Sequence, residues 1–157
     1  MVTDLPFIDE FDATVEAPPS QVFSALTRAM DRTFSGAAGQ VFTAVLGCLH
    51  RGASYTVPPV EGQEVNGFRV ARVEAPSLLV LEGQHRFAIY RLTLRVEGVG
   101  PDRSRLSART DAAFPGLTGR LYRLGVIGTG GHAMIAKRML SAVARRAERD
   151  RRVEVAP

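Results

Sequence analysis

The stretch from Phe68 to Phe114 does most to limit what this chain can fold into. Four strand-like segments, Phe68 to Glu74, Leu78 to Glu82, Ala88 to Glu97 and Ser104 to Phe114, follow one another with only turn-forming residues between them. The breaks are Ala75-Pro76-Ser77, the neighbourhood of Gly83, and Gly98-Val99-Gly100-Pro101-Asp102, and Pro115-Gly116 closes the last segment. Connections this short join only antiparallel neighbours, because a parallel pair needs a crossover of about a dozen residues or more. The expected sheet is therefore a meander and not a doubly wound one.

The flanking segments read differently. Phe7 to Glu16 alternates Phe7, Asp9, Phe11, Ala13 and Val15 against a mostly acidic face, the pattern of a half-buried strand. Ala17-Pro18-Pro19-Ser20 then opens a helix, since proline fits the first turn, where its missing N–H would have been unpaired. That helix is expected to reach about Arg32 with Val22, Phe23, Leu26 and Met30 along one stripe. A second is expected from about Gly39 to His50, with Val41, Phe42, Val45, Leu46 and Leu49 as its apolar face, after a break at Gly36 and Gly39. Arg51 to Gly67 reads as loop, with room for a short edge strand over Ala53 to Val57. From Gly116 to about Arg149 the period is helical: Leu117, Leu121, Leu124 and Ile127, then Ile135, Met139 and Val143.

Inside that helical stretch, Gly128-Thr129-Gly130-Gly131-His132-Ala133 fits the G-x-G-x-x-(G/A) pattern of dinucleotide-binding turns. Such a turn needs a strand before it, a helix after it, and a second parallel strand bearing an acid about 20 residues on. Here the upstream sheet is antiparallel, and only ten residues, rich in arginine, follow Ala147. The glycines are read instead as a break near 128–131, splitting the segment into an arm of about 12 residues and a helix of about 18 to 20.

A chain of 157 residues suits one domain, taken as residues 1–150, with 151–157 as a disordered tail. No apolar run approaches the roughly 20 residues of a membrane span, and the acidic N-terminus does not read as a signal peptide. The single cysteine, Cys48, in an apolar run, suits a buried thiol in a reducing cytoplasm. Net charge is +4, and of 20 basic residues only Lys137 is a lysine. The cluster of Arg145, Arg146, Arg149, Arg151 and Arg152 reads as a solvated helix end, where cations oppose the macrodipole. Without a reading motif or interleaved aromatics it does not point to nucleic acid. Three scattered histidines give no metal-ligand spacing, and no cofactor is expected.

The order β-α-α-β-β-β-β-α, with VEAPPSQVFSAL (Val15 to Leu26) at the first strand-to-helix junction, resembles the START-related superfamily, also called SRPBCC. The resemblance covers about Phe7 to Ala147, and EGQHRFAIYRLTLRVE (Glu82 to Glu97) and FPGLTGRLYRLGVIGTGGH (Phe114 to His132) look like a bacterial, polyketide cyclase/dehydrase-like branch of it. It implies an α+β helix-grip fold, a curved antiparallel sheet wrapped around a long C-terminal helix, with an apolar cavity between them. Members bind lipids, hormones, polyketides or aromatic metabolites, and some are cyclases, dehydratases or hydrolases. It supplies no agreed catalytic set, so no residue role is carried over.

Alternation assigns the inward faces: Ala88, Tyr90, Leu92, Leu94 and Val96; Leu106, Ala108, Thr110, Ala112 and Phe114; Phe68 and Val70; Leu79 and Leu81. The C-terminal helix answers with Ile135, Met139 and Val143. Candidate ligand contacts are Phe11, Phe42, Leu46, Phe68, Val70, Leu79, Leu81, Tyr90, Leu92, Thr110, Phe114, Tyr122, His132, Ile135 and Met139. Apolar walls also make a packed core, and that alternative stays open. Tyr90 is either a core tyrosine bonded to backbone or a ligand partner. His85 and Arg86 fall at a turn, where exposure is the default; a turn at the cavity rim would let Arg86 meet a carboxylate or enolate oxygen and His85 move a proton. His132, beside the glycine break, is either a mouth residue or a surface histidine. No acid–base pair falls on matching inner faces. The expected function is binding of a small hydrophobic molecule as carrier or sensor. A cyclase/dehydratase-like enzyme and an interaction domain with a filled core are the alternatives, and a homodimer is compatible with the sequence.

Overall fold

The computed structural model describes residues 4–35, 44–50, 52 and 54–156. Six strands form one sheet, β1 (Phe7–Val15), β2 (Glu64–Val65), β3 (Phe68–Glu74), β4 (Leu78–His85), β5 (Ala88–Gly100) and β6 (Arg103–Ala113). Their order is β1-β6-β5-β4-β3-β2, and every neighbouring pair is antiparallel. Against this sheet lie the helices α1 (Pro19–Ser35), α2 (Gly116–Val126) and α3 (Gly131–Val155). The meander expected from the turn signals is thus the sheet observed. Register irregularities in β1, β3 and β5 mark bulges, which bend a strand and increase its twist.

Across the sheet, side chains stand in rows. Leu79, Leu94, Ala108 and Phe11 oppose one another in one row, and Val70, Leu81, Leu92, Thr110 and Asp9 in the next. A third row holds Gly83, Tyr90 and Ala112. The apolar members of the first two rows pack against Val22, Leu26 and Met30 of α1 and Leu140, Val143 and Ala147 of α3, so the middle of the molecule is core. The third row lies toward α2, with Gly83 and Ala112 buried and Tyr90 half-buried.

Several elements differ from the sequence reading, each for an identifiable reason. β4 does not stop near Gly83 but runs to His85, because Gly83 serves close packing and not a turn. The bulge between Phe7 and Asp9 turns Phe7 outward, where it is 56% exposed beneath the Arg109 guanidinium. α3 buries Ala136, Leu140, Val143 and Ala147, and Ile135, expected to face the sheet, is 65% exposed. Small alanines let this helix approach closely, whereas the large Ile135 lies on the adjacent, exposed face. Leu117, Leu121 and Leu124 are likewise exposed.

At the C-terminal end, α3 continues through 151–155, where the sequence suggests a disordered tail. Arg151 holds that end, donating to the Glu16 carbonyl at 2.9 Å and pairing with Asp102 at 2.9 Å. Of the helix expected over Gly39 to His50, residues 44–46 are helical and Gly47 turns the chain at φ +68°; positions 39–43, Phe42 among them, lie outside the described residues. Residues 54–57 form no strand, and Ser54 and Tyr55 instead donate backbone N–H groups to the Glu64 carbonyl at 3.0 and 3.1 Å. Ala53 lies outside the described residues. Among the described residues no helix is long and apolar enough to cross a membrane.

Candidate functional site

Two groups of side chains stand beside the central core, one toward α2 and one under the start of α3. The first gathers around Tyr90. Its ring meets Phe68 edge-on at a centroid distance of 5.1 Å and His85 at 5.4 Å, and His85 meets Tyr122 of α2 at 5.0 Å. Phe87, on the β4–β5 turn, stacks on Tyr122 at 5.4 Å, and Phe114 approaches the same ring at 6.3 Å. The close seating of α2 makes this contact: a methyl group at Gly119 would lie 3.0 Å from the Phe87 carbonyl oxygen. The cluster borders an open cleft of about 540 Å³ lined by Gly47, Cys48, Leu49, Gln84, His85 and Arg86.

Its polar atoms have defined states. The Tyr90 hydroxyl donates to the Gly67 carbonyl at 2.6 Å, and burial, with Cys48 beside it, raises this phenol far above its usual range. The Tyr122 phenol is raised by the same two causes, burial first. His85 is buried, contrary to the exposure expected at a turn, and burial lowers its pKa below the usual 6.5. Its Nδ1 accepts the Phe87 backbone N–H at 3.1 Å, which leaves the proton of the neutral ring on Nε2. Arg86 stays exposed, with its guanidinium 5.7 Å from the Phe87 ring centroid.

The second group lies under the start of α3. Gly130 takes φ +75°, and a methyl at Gly128 would fall 2.5 Å from the Leu124 carbonyl oxygen, so these glycines break the helical path between α2 and α3. The break sets His132 in the first turn of α3, its Nε2 3.0 Å from the Thr110 hydroxyl and 3.5 Å from Asp9 Oδ1. Asp9 Oδ1 is buried and accepts no hydrogen bond. Beside it, the Lys137 ammonium stands 5.1 Å from the Phe11 ring centroid. The dinucleotide-like glycines thus follow a helix rather than a strand, and their chain geometry serves to place His132.

Of the other residues singled out in the sequence, Val70, Leu79 and Leu81 lie fully inside the core cluster, while Leu92, Met139 and Phe68 are half-buried against it. Leu46 is buried, and its carbonyl accepts the Arg86 N–H at 3.3 Å. The sequence reading missed Asp9, Phe87 and the contact of Cys48 with Tyr90. Asp9 carried a usable signal: it is the one acid on the otherwise apolar face of β1, and burying a carboxylate is costly unless something answers it. Among the described residues no group of three or more His, Cys, Asp or Glu side chains is placed to hold a metal ion.

No family model matches the sequence, and no curated protein sequence matches it. Solved structures match it in fold. The Zhui aromatase/cyclase from Streptomyces sp. R1128 aligns with a TM-score of 0.57 and 17% identity, covering 95% of this chain and 98% of that one. A point mutant of Thalictrum flavum norcoclaurine synthase, in complex with a transition-state analogue, aligns at 0.54 and 12%, covering 94% and 99%. A Thermobifida fusca protein solved by solution NMR aligns at 0.53 and 20%, covering 89% and 92%. These likenesses are of fold alone, and the fold is the helix-grip arrangement expected from the sequence, a curved antiparallel sheet with a long C-terminal helix.

Proposed function

We propose that the chain binds a small hydrophobic molecule, a lipid, polyketide or aromatic metabolite, as a carrier or sensor, with the ligand seated at the aromatic end of the sheet. The observation that carries this reading is the cluster of His85, Phe87, Tyr90 and Tyr122 beside an open cleft, outside the packed central rows. His85 lines the cleft and the other three rings adjoin His85, and aromatic side chains with a few oriented polar groups recur in small-molecule sites. The fold shared with an aromatase/cyclase and with norcoclaurine synthase supports a ligand in this region without naming it. A buried Cys48 supports a reducing compartment such as the cytoplasm. Native mass spectrometry of the purified protein tests the reading: a stoichiometric small molecule, lost in Tyr122→Ala, is the expected result. Absence of any bound molecule, with no affinity for lipids or polycyclic aromatics in titration, would leave the interaction-domain alternative.

One observation favours a second reading, an enzyme of the cyclase/dehydratase type. The sequence reading found no acid–base pair on matching inner faces, whereas His132 and Asp9 converge at 3.5 Å beside Thr110. A histidine oriented by a carboxylate can take a proton from a carbon next to a carbonyl or deliver one to a leaving hydroxyl. Binding that survives in His132→Gln, with turnover reduced about a hundredfold, is the result this reading expects.

A further inference from the structure

We propose that α2 docks the protein on an anionic lipid bilayer surface. At roughly 100° per residue, Leu117, Leu121 and Leu124 share one stripe of this helix, opposite the Gly119, Tyr122 and Val126 face that packs on the body. The three leucines are 77%, 69% and 66% exposed on this 11-residue helix, and none of the described residues covers them. Such a stripe is an amphipathic helix turned outward: its apolar face points away from the protein.

Charge selects the partner. Arg120 and Arg123 border the stripe along one side, and Arg86 stands over Phe87 beside α2. Between Asp111 and Glu148 the sequence holds no acidic residue. A convex ridge of leucines edged by arginines fits a headgroup layer, where the leucines enter the acyl boundary and the arginines extend to phosphates. A second copy of the chain would set these arginines against their own equivalents, and nucleic acid would gain nothing from the leucines. Association with the surface differs from spanning, and this inference does not depend on the ligand or chemistry proposed above.

The test is co-sedimentation of the full chain with vesicles of phosphatidylcholine alone and of phosphatidylcholine mixed with phosphatidylglycerol. Two variants accompany it: Leu117→Ser, Leu121→Ser and Leu124→Ser combined, and Arg120→Gln with Arg123→Gln. All these side chains are exposed, and circular dichroism checks that the fold is kept. Binding to the phosphatidylglycerol vesicles that weakens with salt, falls about tenfold or more in the arginine pair and is lost in the leucine triple supports the proposal. It is overturned if the anionic vesicles capture no protein or capture the leucine triple equally well. A concentration-dependent dimer that disappears in the leucine triple, with no vesicle binding, also overturns it and assigns the stripe to a second copy.

Discussion

Tyr90 lies directly over Gly83: its Cε2 is 2.3 Å from the point where a Cβ at position 83 would sit, and the Gly67 carbonyl oxygen is 2.2 Å from that point. Only a residue without a side chain lets the ring cross the strand and reach that carbonyl with its hydroxyl. Gly83→Ala is therefore expected to displace Tyr90 and cost about 2 to 3 kcal/mol, the range of an overpacked core site. Urea denaturation measures the loss. Tyr90→Phe is expected to cost less, about 1 kcal/mol, because it removes one hydrogen bond and keeps the ring.

His85 gives the fold a dependence on mildly acid pH. Its folded pKa lies below the ordinary 6.5, so as pH falls the unfolded chain takes up the proton first. Stability is then expected to fall as pH drops through the unfolded value of 6.5 toward the lower folded one. His85→Phe, which keeps the aromatic packing, should flatten the urea midpoint across that window. An equal slope in the variant would assign the dependence to other groups.

What was legible in the sequence is what repeats. Alternation and turn residues gave the strands from Phe68 onward, and the Val22, Leu26, Met30 stripe gave α1, because burial of one face writes a period into the chain. The site was legible only in part, since its contacts join distant segments without any period. Nothing local in Phe87 says that it will stack on Tyr122, or in Cys48 that it will sit beside Tyr90. Ile135 and the Leu117, Leu121, Leu124 stripe show the opposite case, a clear period whose apolar face turns to solvent. Periodicity reports amphipathicity and does not report what lies on the other side.

All three tyrosines of the chain, Tyr55, Tyr90 and Tyr122, have phenols held above the ordinary pKa of 10.0, burial being the largest cause in each. Tyr55 is tied down by its hydroxyl, which donates to the Thr27 carbonyl at 3.1 Å. Little tyrosinate absorbance is therefore expected near pH 10 while the chain stays folded. The unfolded chain releases these protons first, so stability falls as pH rises past 10 and the absorbance should appear together with loss of circular dichroism. An early rise equivalent to one tyrosine, with the fold intact, would show that one of the three is accessible.

Asp9 separates a binding or catalytic role from a structural one. It stands opposite Thr110 on the inner face, with Oδ1 buried, accepting no hydrogen bond and answered only by His132 Nε2 at 3.5 Å, a weak return for burying a carboxylate oxygen. Valine suits a strand and the apolar row, so Asp9→Val is expected to raise the unfolding free energy by about 1 kcal/mol, the sign found when a poorly compensated buried charge gives way to an apolar side chain. The same substitution should weaken whatever His132 and Thr110 hold. Increased stability together with reduced ligand affinity or turnover would mark Asp9 as a site residue; a loss of stability instead would show that its contact with His132 holds α3 against the sheet, and the functional reading of that pair would fail.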